Sequence, residues 1–354
     1  MRISRALLRA IHAAAHPRRS AKTLVQRWFQ DRVDPYLPNR YIDLVDFGDL
    51  DLFMFRRDNL YERSVPPDRK GREIRSVQAR NARSGFRAAP VDRESVRTTK
   101  DPRDVFCIVA EVVARTDGSV TVLDVGAHVG AFGLKLANFL RTAGIPGRVV
   151  CFEPGTAGEL LPHNVVLNGL ADWVQVELFA VSDVTGLDVL HITPGSTDGD
   201  SLTGDGKRSY DRIVNTVRVD EYVTAHVPSG GLIVKLDTEG LEPRLIASMT
   251  NLRATRTVVT VFEFMPWRYA DGRYGLDLLG SLDGECLLFD LYYAPRVSRV
   301  ELIEQADFAA FISRVRERPY GYTDVLAIPR RLPGTHELLQ RIADLRRRDG
   351  VLTL

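Results

Sequence analysis

The chain has 354 residues, of which 44% are hydrophobic and 27% charged. This length and composition fit a globular protein of one or two domains and exclude a disordered or fibrous chain. The three cysteines are widely spaced and form no CxxC pair, which argues against a disulfide framework or a zinc site. No run of about 18 apolar residues occurs, so the sequence predicts a cytoplasmic protein without a membrane-spanning helix.

Charge separates two regions of the chain. The formal net charge is +2, but residues 1–100 hold 22 basic and 12 acidic residues, a surplus of +10 that leaves −8 for the remainder. We interpret residues 1–100 as a basic N-terminal extension, partly helical, of unknown role. Within it, residues 2–15 have the pattern of an amphipathic helix, and residues 1–30 contain seven basic and no acidic residues. Peripheral membrane contact, organelle targeting and packing of this helix on its own domain remain alternatives, and no nucleic-acid partner is expected.

From about residue 101 the pattern changes to short apolar strands that alternate with helices. This alternation predicts a domain over 101–330 built on a mostly parallel sheet covered on both faces, followed by a C-terminal helical tail over 331–354. In such a sheet, ligands bind beyond the carboxyl ends of the strands. The predicted strands cover 120–125, 149–153, 174–181, 232–237, 258–264, 287–292 and 323–328. The predicted helices begin near residue 104 and then cover 131–142, 157–168, 242–249 and 276–282.

The first predicted strand runs into a turn with two glycines. It ends near Asp124 and is followed by Gly126, His128 and Gly130, after which a helical pattern begins. Gly126 permits close approach of the backbone to a ligand, and Gly130 permits the helix start to pack on the sheet. His128 stands where the dinucleotide pattern GxGxxG has its second glycine. A purely structural turn of this kind is common, so the glycines alone do not identify a ligand.

A second acid sharpens the prediction. Glu153 ends the second strand 27 residues after Gly126, near the spacing at which an acid receives ribose hydroxyls in doubly wound folds. Two strand-end acids beside a glycine turn indicate a ligand with adenosine and a cationic group, a combination found in S-adenosylmethionine. NAD fits less well, because the negative charge of Asp124 beside the turn is unfavourable for a pyrophosphate. Ser182 and Asp183 follow the third strand at the height expected for the adenine ring. An Asp that simply starts a turn is an equally weighted alternative for Asp183.

The fourth and fifth strands carry charges where a buried strand should be apolar. Alternation places Lys235 and Asp237 on one face, and Glu263 interrupts the apolar fifth strand. Because burying charge is costly unless the charge is paired or used, we interpret these residues as the acceptor site, with a plain ion-pair network as the alternative. Asp237, Glu239 or Glu263 would take a proton from a hydroxyl, and Lys235 would orient that hydroxyl. His128 is a further candidate base. No metal is predicted, since no His-rich ligand spacing occurs.

An insertion separates the third and fourth strands. Strand-like residues 187–192 and 214–219 flank residues 194–207, which are rich in Gly, Ser, Thr and Asp. A segment of this composition beside the cofactor crevice predicts a mobile substrate lid, and a polar hairpin tip is the alternative.

The motifs together resemble the FkbM family of methyltransferases, over residues 121–265 and more loosely to 328. The resemblance implies a class I, Rossmann-like fold with a seven-stranded, mostly parallel, doubly wound sheet, S-adenosylmethionine as donor, and O-methylation of a hydroxyl. It also implies that Asp124, Gly126 and Glu153 hold the cofactor, whereas His128 departs from the Asn that is more usual in this family. The likeness is carried, in the family's order, by Asp124–Gly130, Phe152–Pro154, Asn164 to Asn168, Ala180–Asp183, Lys235–Gly240 with Glu242, and Glu263.

The sequence therefore predicts an S-adenosylmethionine-dependent O-methyltransferase that acts on a small molecule, sugar, glycolipid or natural product. The alternative is a catalytically silent cofactor-binding or scaffold module that docks through its basic N-terminus. The acceptor and the oligomeric state are not predicted, because residues 1–100 resemble no family.

Overall fold

The computed structural model describes residues 42–46, 50–55, 103–192, 200–203, 210–227, 229–268, 274–294, 297–318 and 321–348. The amphipathic helix predicted over 2–15, and the membrane contact considered for 1–30, lie outside the described residues. Within the described ranges, every helix is too short or too polar to cross a bilayer.

Thirteen strands and nine α-helices make up the described part of the chain. The strands are β1 (Ile42–Asp46), β2 (Asp51–Phe55), β3 (Val120–Val125), β4 (Gly147–Phe152), β5 (Val174–Glu177), β6 (Ala180–Ser182), β7 (Gly186–Ile192), β8 (Tyr210–Arg218), β9 (Gly231–Leu236), β10 (Val258–Phe264), β11 (Cys286–Ala294), β12 (Val297–Ile303) and β13 (Thr323–Pro329). The helices are α1 (Arg103–Asp117), α2 (Ala131–Ala143), α3 (Leu161–Leu167), α4 (Val219–His226), α5 (Glu242–Ser248), α6 (Thr250–Thr255), α7 (Tyr274–Asp283), α8 (Phe308–Arg316) and α9 (Thr335–Arg348).

The large sheet is mostly parallel, as predicted, but it has eight strands rather than seven. Its order is β12-β11-β13-β10-β9-β3-β4-β5. Strands β3, β4, β5, β9 and β10 pair in parallel, whereas β13 is antiparallel to both of its neighbours. The additional strand, β12, forms an antiparallel hairpin with β11. Its charged residues hid it from a search for apolar runs.

Strand order reverses at β3, and this reversal determines where a ligand can bind. β3 pairs with β4 on one side and with β9 on the other, so Val125 lies opposite both Phe152 and Leu236. The chain segments that leave these strands therefore separate above the carboxyl end of β3. In doubly wound sheets, the crevice at such a switch point is the ligand site.

Two hydrophobic clusters cover the two faces of the sheet. Helices α1, α2, α3 and α9 pack on one face, and helices α4 to α8 pack on the other. All six residues of β3 are buried, which explains why this strand is rich in β-branched residues and lacks the alternation of a half-exposed strand. The sheet is thus a rigid base for the loops at its carboxyl edge.

The insertion forms a second, smaller sheet. The strand predicted over 174–181 divides into β5, which extends the large sheet, and β6, which joins a three-stranded sheet of order β6-β8-β7. The hairpin of β7 and β8 agrees with the strand-like segments predicted over 187–192 and 214–219. Residues 200–203, which we call the strap, attach to β7 through two backbone hydrogen bonds between His191 and Ser201.

The described part of the N-terminal region docks on the large domain. Strands β1 and β2 form an antiparallel hairpin. The side chain of Asn168 both accepts a hydrogen bond from the Asp51 backbone N–H, at 3.0 Å, and donates one to the Asp51 carbonyl, at 2.7 Å. Asn168, at the end of α3, therefore acts like an additional strand residue that fixes this hairpin to the domain.

Candidate functional site

The glycine turn, residues 126–130, brings the ends of β3 and β9 into direct contact. Gly126 has φ +74°, and a Cβ atom at this position would lie 1.8 Å from the carbonyl oxygen of Asp237. Gly130 has φ +90°, and a Cβ there would lie 2.3 Å from Leu161 and 2.5 Å from Leu134. For Gly130 the structure agrees with the predicted reason, since it allows the start of α2 to pack. For Gly126 it shows a different reason, the meeting of two loops, and the predicted approach to a ligand stays a prediction.

Asp124 is engaged by groups of its own chain. Its carboxylate is 0% exposed, and Oδ2 accepts a hydrogen bond of 2.9 Å from the Gly133 N–H in the first turn of α2. Oδ1 lies 3.5 Å from Lys235 Nζ. Burial raises the pKa of Asp124, although Lys235 and the Gly133 N–H oppose the rise. The predicted contact between Asp124 and a cationic cofactor remains a prediction, and the described cation beside this acid is Lys235.

Glu153 holds the glycine turn and the loop after β4. Its Oε2 accepts a hydrogen bond of 2.8 Å from the His128 N–H, and its Oε1 accepts one of 2.7 Å from the Gly155 N–H. Burial raises the pKa of Glu153, while His128 and the two N–H groups lower it. His128 itself has φ +53°, a conformation that few non-glycine residues adopt. Glu153 therefore fixes the backbone of the turn at the carboxyl end of β4, where ribose recognition was predicted.

Ser182 and Asp183 lie at the end of β6, beside helix α5. The two carboxylate oxygens of Asp183 accept hydrogen bonds of 3.1 and 2.6 Å from Arg244. Ser182 is buried and donates a hydrogen bond to Asp183. Burial raises the pKa of Asp183, but the Arg244 pairing outweighs burial and lowers it overall. A contact of Asp183 with adenine would therefore compete with, or share, the Arg244 ion pair.

Lys235 and Asp237 lie on one face of the sheet, as alternation predicted. Lys235 Nζ donates a hydrogen bond of 2.9 Å to Asp237 Oδ2 and also lies 5.5 Å from the centre of the Phe132 ring. Burial alone would lower the pKa of Lys235, yet Asp237 and Asp124 raise it above the ordinary value. The Lys235 side chain is 16% exposed and that of Asp237 is 41% exposed. Asp237 therefore presents a carboxylate that a ligand can reach.

Glu239 is held firmly beside Asp237. It has φ +58°, and its carbonyl oxygen accepts hydrogen bonds from Ser201 Oγ at 3.1 Å, from Thr203 Oγ1 at 3.2 Å and from Arg268. Arg268 also pairs with the Glu239 carboxylate at 3.0 Å. Left-handed backbone at a non-glycine residue costs about 1 to 3 kcal/mol and persists only where the surroundings impose it. The strap and Arg268 are those surroundings.

Glu242, the first residue of α5, stabilises the turn that contains Glu239. Glu242 is 0% exposed, and its carboxylate accepts hydrogen bonds from the backbone N–H groups of Thr238, at 2.8 Å, and Gly240, at 3.0 Å. Burial raises the pKa of Glu242, and these hydrogen bonds oppose the rise. Glu242, which was part of the family likeness, thus positions the loop that carries Glu239.

Glu263 meets the two acids of that loop. One carboxylate oxygen from each of Asp237, Glu239 and Glu263 lies within 4.8 Å of the others, and we call these three residues the acidic cluster. The Oε2 atom of Glu263 is closed off from solvent and accepts no hydrogen bond from any described residue. Burial, and then the charges of Asp237 and Glu239, raise the pKa of Glu263 well above its usual range. The sequence predicted that Lys235, Asp237 and Glu263 would lie together on neighbouring strands. The structure brings Asp237 and Glu263 close and adds Glu239, from the loop after β9, to them.

The structure adds residues that the sequence analysis did not select. Asp324 of β13 lies directly across from Glu263, and burial, together with the charge of Asp237, raises its pKa to about 7. A charge within an apolar strand was the signal that singled out Glu263, and it would also have found Asp324. No local signal marks Arg268, Ser201 or Thr203, because their contacts with Glu239 span 29 to 38 residues of sequence.

The strap connects the two sides of the crevice. At one end, Asp200 approaches Gly155, where an added Cβ would lie 2.8 Å from Asp200 Oδ2 and 2.7 Å from Glu153 Oε1. At the other end, Ser201 and Thr203 contact the Glu239 carbonyl. The predicted lid therefore has a described portion that touches both the Glu153 loop and the Glu239 loop.

These features define a class: a mostly parallel, doubly wound α/β domain with an acid-rich crevice at its topological switch point. No family model and no curated protein matches the chain. Solved structures do. Cofactor-bound Rv0187 from MTB is 13% identical, with 77% of this chain and 95% of that chain covered at a TM-score of 0.36. Methyltransferase FkbM from Methylobacillus flagellatus KT is 10% identical, with 77% and 58% covered at a TM-score of 0.36. The third is a COG1565 superfamily member from Burkholderia thailandensis, described as a likely methyl transferase and bound to S-adenosyl-homocysteine. It is 12% identical, with 70% of this chain and 62% of that chain covered at a TM-score of 0.22.

Proposed function

We propose that this protein is an S-adenosylmethionine-dependent methyltransferase that transfers a methyl group to a hydroxyl of a small molecule, sugar, glycolipid or natural product. One observation carries the proposal. The glycine turn meets the backbone of Asp237, so that the loop fixed by Glu153 and the acidic cluster lie at the same edge of the sheet. The crevice at the switch point is where doubly wound folds bind nucleotides.

The residues on the β3 and β4 side fit an adenosine-containing cofactor. Glu153 directly follows β4, the position from which an acid binds ribose hydroxyls in doubly wound folds, and Gly126 lets the turn beside it pack directly on the Asp237 backbone. Asp183, which follows β6 and pairs with Arg244, is the residue that we propose accepts a hydrogen bond from the adenine amino group. Asp124 contributes negative potential from behind the turn, partly balanced by Lys235. When bound, S-adenosylmethionine supplies an electrophilic methyl group on a positively charged sulfur.

The residues on the β9 and β10 side would orient the acceptor and receive its proton. Correct placement of two reactants removes about 7 to 11 kcal/mol of barrier, whereas a general base contributes about 10² to 10⁴-fold. Asp237, whose side chain is 41% exposed against 26% for Glu239, is the most accessible carboxylate to take the hydroxyl proton. Lys235 donates a hydrogen bond of 2.9 Å to Asp237 Oδ2 and so orients this carboxylate.

Calorimetric titration with S-adenosylmethionine tests the cofactor half of the proposal. We expect one site per chain in the wild-type protein and an affinity about 10-fold to 100-fold weaker in Glu153→Gln, because a charge-assisted hydrogen bond contributes about 1.5 to 3 kcal/mol. Glu304→Gln, an exposed acid after β12 at the far edge of the sheet, is the matched control and should bind like the wild type. Absence of binding to the wild-type protein would remove the proposed function.

Transfer of labelled methyl from S-adenosylmethionine to a panel of sugars, glycolipids and polyketide-like alcohols tests the catalytic half. For any acceptor found, we expect Asp237→Asn to lower the rate by about 10² to 10⁴-fold while the affinity for the cofactor changes less than about twofold. Equal rates for Asp237→Asn and the wild type would show that this acid takes no part. Cofactor binding without transfer to any hydroxyl would instead favour a silent cofactor-binding module.

A further inference from the structure

We propose that Asp237, Glu239 and Glu263 bind one divalent cation of the kind that prefers oxygen ligands, such as Mg²⁺, Mn²⁺ or Ca²⁺. One carboxylate oxygen from each residue lies within 4.8 Å of the other two. Metal–oxygen distances of about 2.0 to 2.6 Å for these ions allow opposite ligands to stand about 4 to 5 Å apart. The three acids are therefore already spaced as ligands of one ion, without the histidines on whose absence the sequence analysis based its prediction of no metal.

An acidic cluster alone does not define a site, and Glu263 supplies the independent observation. Its Oε2 atom is sealed from solvent and accepts no hydrogen bond from the described residues. A buried acid elsewhere in the same sheet has hydrogen-bond donors for its carboxylate. Asp290 of β11, only 3% exposed, receives two hydrogen bonds from Arg318 and one of 2.7 Å from Thr323. The Oδ1 atom of Asp124 also accepts no hydrogen bond from the described residues, but the ammonium group of Lys235 lies 3.5 Å from it. A buried polar atom is costly unless it is paired, so the sealed Oε2 atom of Glu263, which has no such cation among the described residues, offers a position for a ligand.

The two basic side chains near the acidic cluster do not meet that need. Lys235 is shared between Asp237 and Asp124, and Arg268 pairs with Glu239. Neither is among the described donors to Glu263 Oε2. With Asp324 directly across from Glu263, acids outnumber bases among the described residues at this corner of the sheet. A divalent cation reduces that excess of negative charge by two.

Glu239, the member of the acidic cluster in the loop after β9, is held in place by several contacts. Glu239 is fixed through its carbonyl by Ser201, Thr203 and Arg268, and Glu242 binds the N–H groups on either side of it. Such a fixed turn lowers the entropy that ligand assembly costs. Water and an acceptor oxygen would complete the coordination, since Mg²⁺-like ions keep several non-protein ligands.

The role of the ion in methyl transfer rests on the proposed function, whereas its binding does not. An ion in the acidic cluster would lie beside Asp237, where the acceptor hydroxyl is proposed to bind. A bound divalent cation orients a ligated oxygen and makes its proton easier to remove. The proposal therefore narrows the acceptor to molecules that can offer a hydroxyl oxygen, or two adjacent oxygens, to a metal.

Mn²⁺ titration of the full chain, freed of metal with EDTA and followed by the loss of the free-ion paramagnetic resonance signal, tests the proposal. We expect one Mn²⁺ per wild-type chain, displaced by Mg²⁺ or Ca²⁺, and at least tenfold weaker binding in both Glu263→Gln and Asp237→Asn. Glu304→Gln is the matched control for loss of one acidic group, and circular dichroism verifies that each variant is folded.

The outcomes separate this proposal from the proposed function. The metal site is overturned if the wild-type protein does not bind Mn²⁺, or if Glu263→Gln and Asp237→Asn bind Mn²⁺ as tightly as the wild type. In either case a bound proton, rather than a metal ion, would neutralise Glu263. Titration of the same samples with S-adenosylmethionine is scored independently. If the protein binds Mn²⁺ but not S-adenosylmethionine, the metal site is supported and the methyltransferase function is contradicted. If it binds S-adenosylmethionine but not Mn²⁺, the methyltransferase function is supported and the metal site is contradicted.

Discussion

The two sides of the crevice use their acids in different ways. On the β3 and β4 side, Asp124 and Glu153 accept hydrogen bonds from the backbone N–H groups of Gly133, His128 and Gly155. On the β9 and β10 side, the acidic cluster is crowded with like charges, and Glu263 Oε2 has no described hydrogen-bond partner.

The difference separates acids that fix loop geometry from acids that are crowded by like charges. An acid bonded to backbone N–H groups fixes loop geometry, and its removal should loosen the protein. An acid buried among like charges destabilises the unliganded fold, and its neutralisation should be tolerated or favourable. Lys235 joins the two sides, because it contacts Asp124 on one and Asp237 on the other.

Removal of that shared cation should have the largest effect. Lys235→Met leaves Asp124, which is 0% exposed, without its charged partner, and a broken buried ion pair costs about 3 to 5 kcal/mol. Urea denaturation should report this loss of unfolding free energy. Adding Asp124→Asn should restore part of it, since the orphaned charge is gone. A Lys235→Met protein as stable as the wild type would show that the two sides are not coupled through this residue.

Substitution of Gly126, where the two sides of the crevice meet, should have the second-largest effect on the free energy of unfolding. Gly126→Ala places a Cβ 1.8 Å from the Asp237 carbonyl oxygen in addition to the strain of φ +74°, whereas Gly118, with φ +80° at the start of β3, has open space around its Cβ position. We expect Gly118→Ala to cost about 1 kcal/mol from backbone strain alone, and Gly126→Ala to cost about 3 kcal/mol or more once overpacking is added. Equal losses in the two variants, measured by urea denaturation, would contradict the close approach of the loops.

The smallest effects should have opposite signs. In metal-free buffer, Glu153→Gln should lower the unfolding free energy by about 1 to 3 kcal/mol, because two backbone N–H groups lose a charged acceptor. Glu263→Gln should raise it by about 1 kcal/mol, because a poorly partnered buried acid is removed. Since burial raises the pKa of Glu263, ionising this group destabilises the fold as pH rises, so the gain should vanish below about pH 4, where the acid is protonated in both folded and unfolded chains. Destabilisation by both variants at neutral pH would break the comparison.

The sequence predicted the parts of this molecule that depend on local pattern. Apolar strands alternating with helices led to the parallel sheet, and strand alternation correctly put Lys235 and Asp237 on one face. The predictions did not extend to partners distant in sequence. The pairing of Asp183 with Arg244 spans 61 residues, and no pattern within either segment announces it.

Two further differences have physical causes in the tertiary structure. The single strand predicted over 174–181 divides, because β6 pairs with β8 of the insertion rather than continuing in the large sheet. The lid predicted over 194–207 has described residues 200–203 that contact both loops of the crevice. Such contacts arise only when the chain folds back on itself, so composition alone could not place them.

A crystal structure of the full chain grown with S-adenosylhomocysteine tests the central claim most directly. We expect the nucleoside in the crevice above β3, with its ribose hydroxyls on Glu153 and its sulfur turned toward Asp237. A crevice filled by protein side chains in such crystals, or a ligand bound away from Glu153, would contradict it.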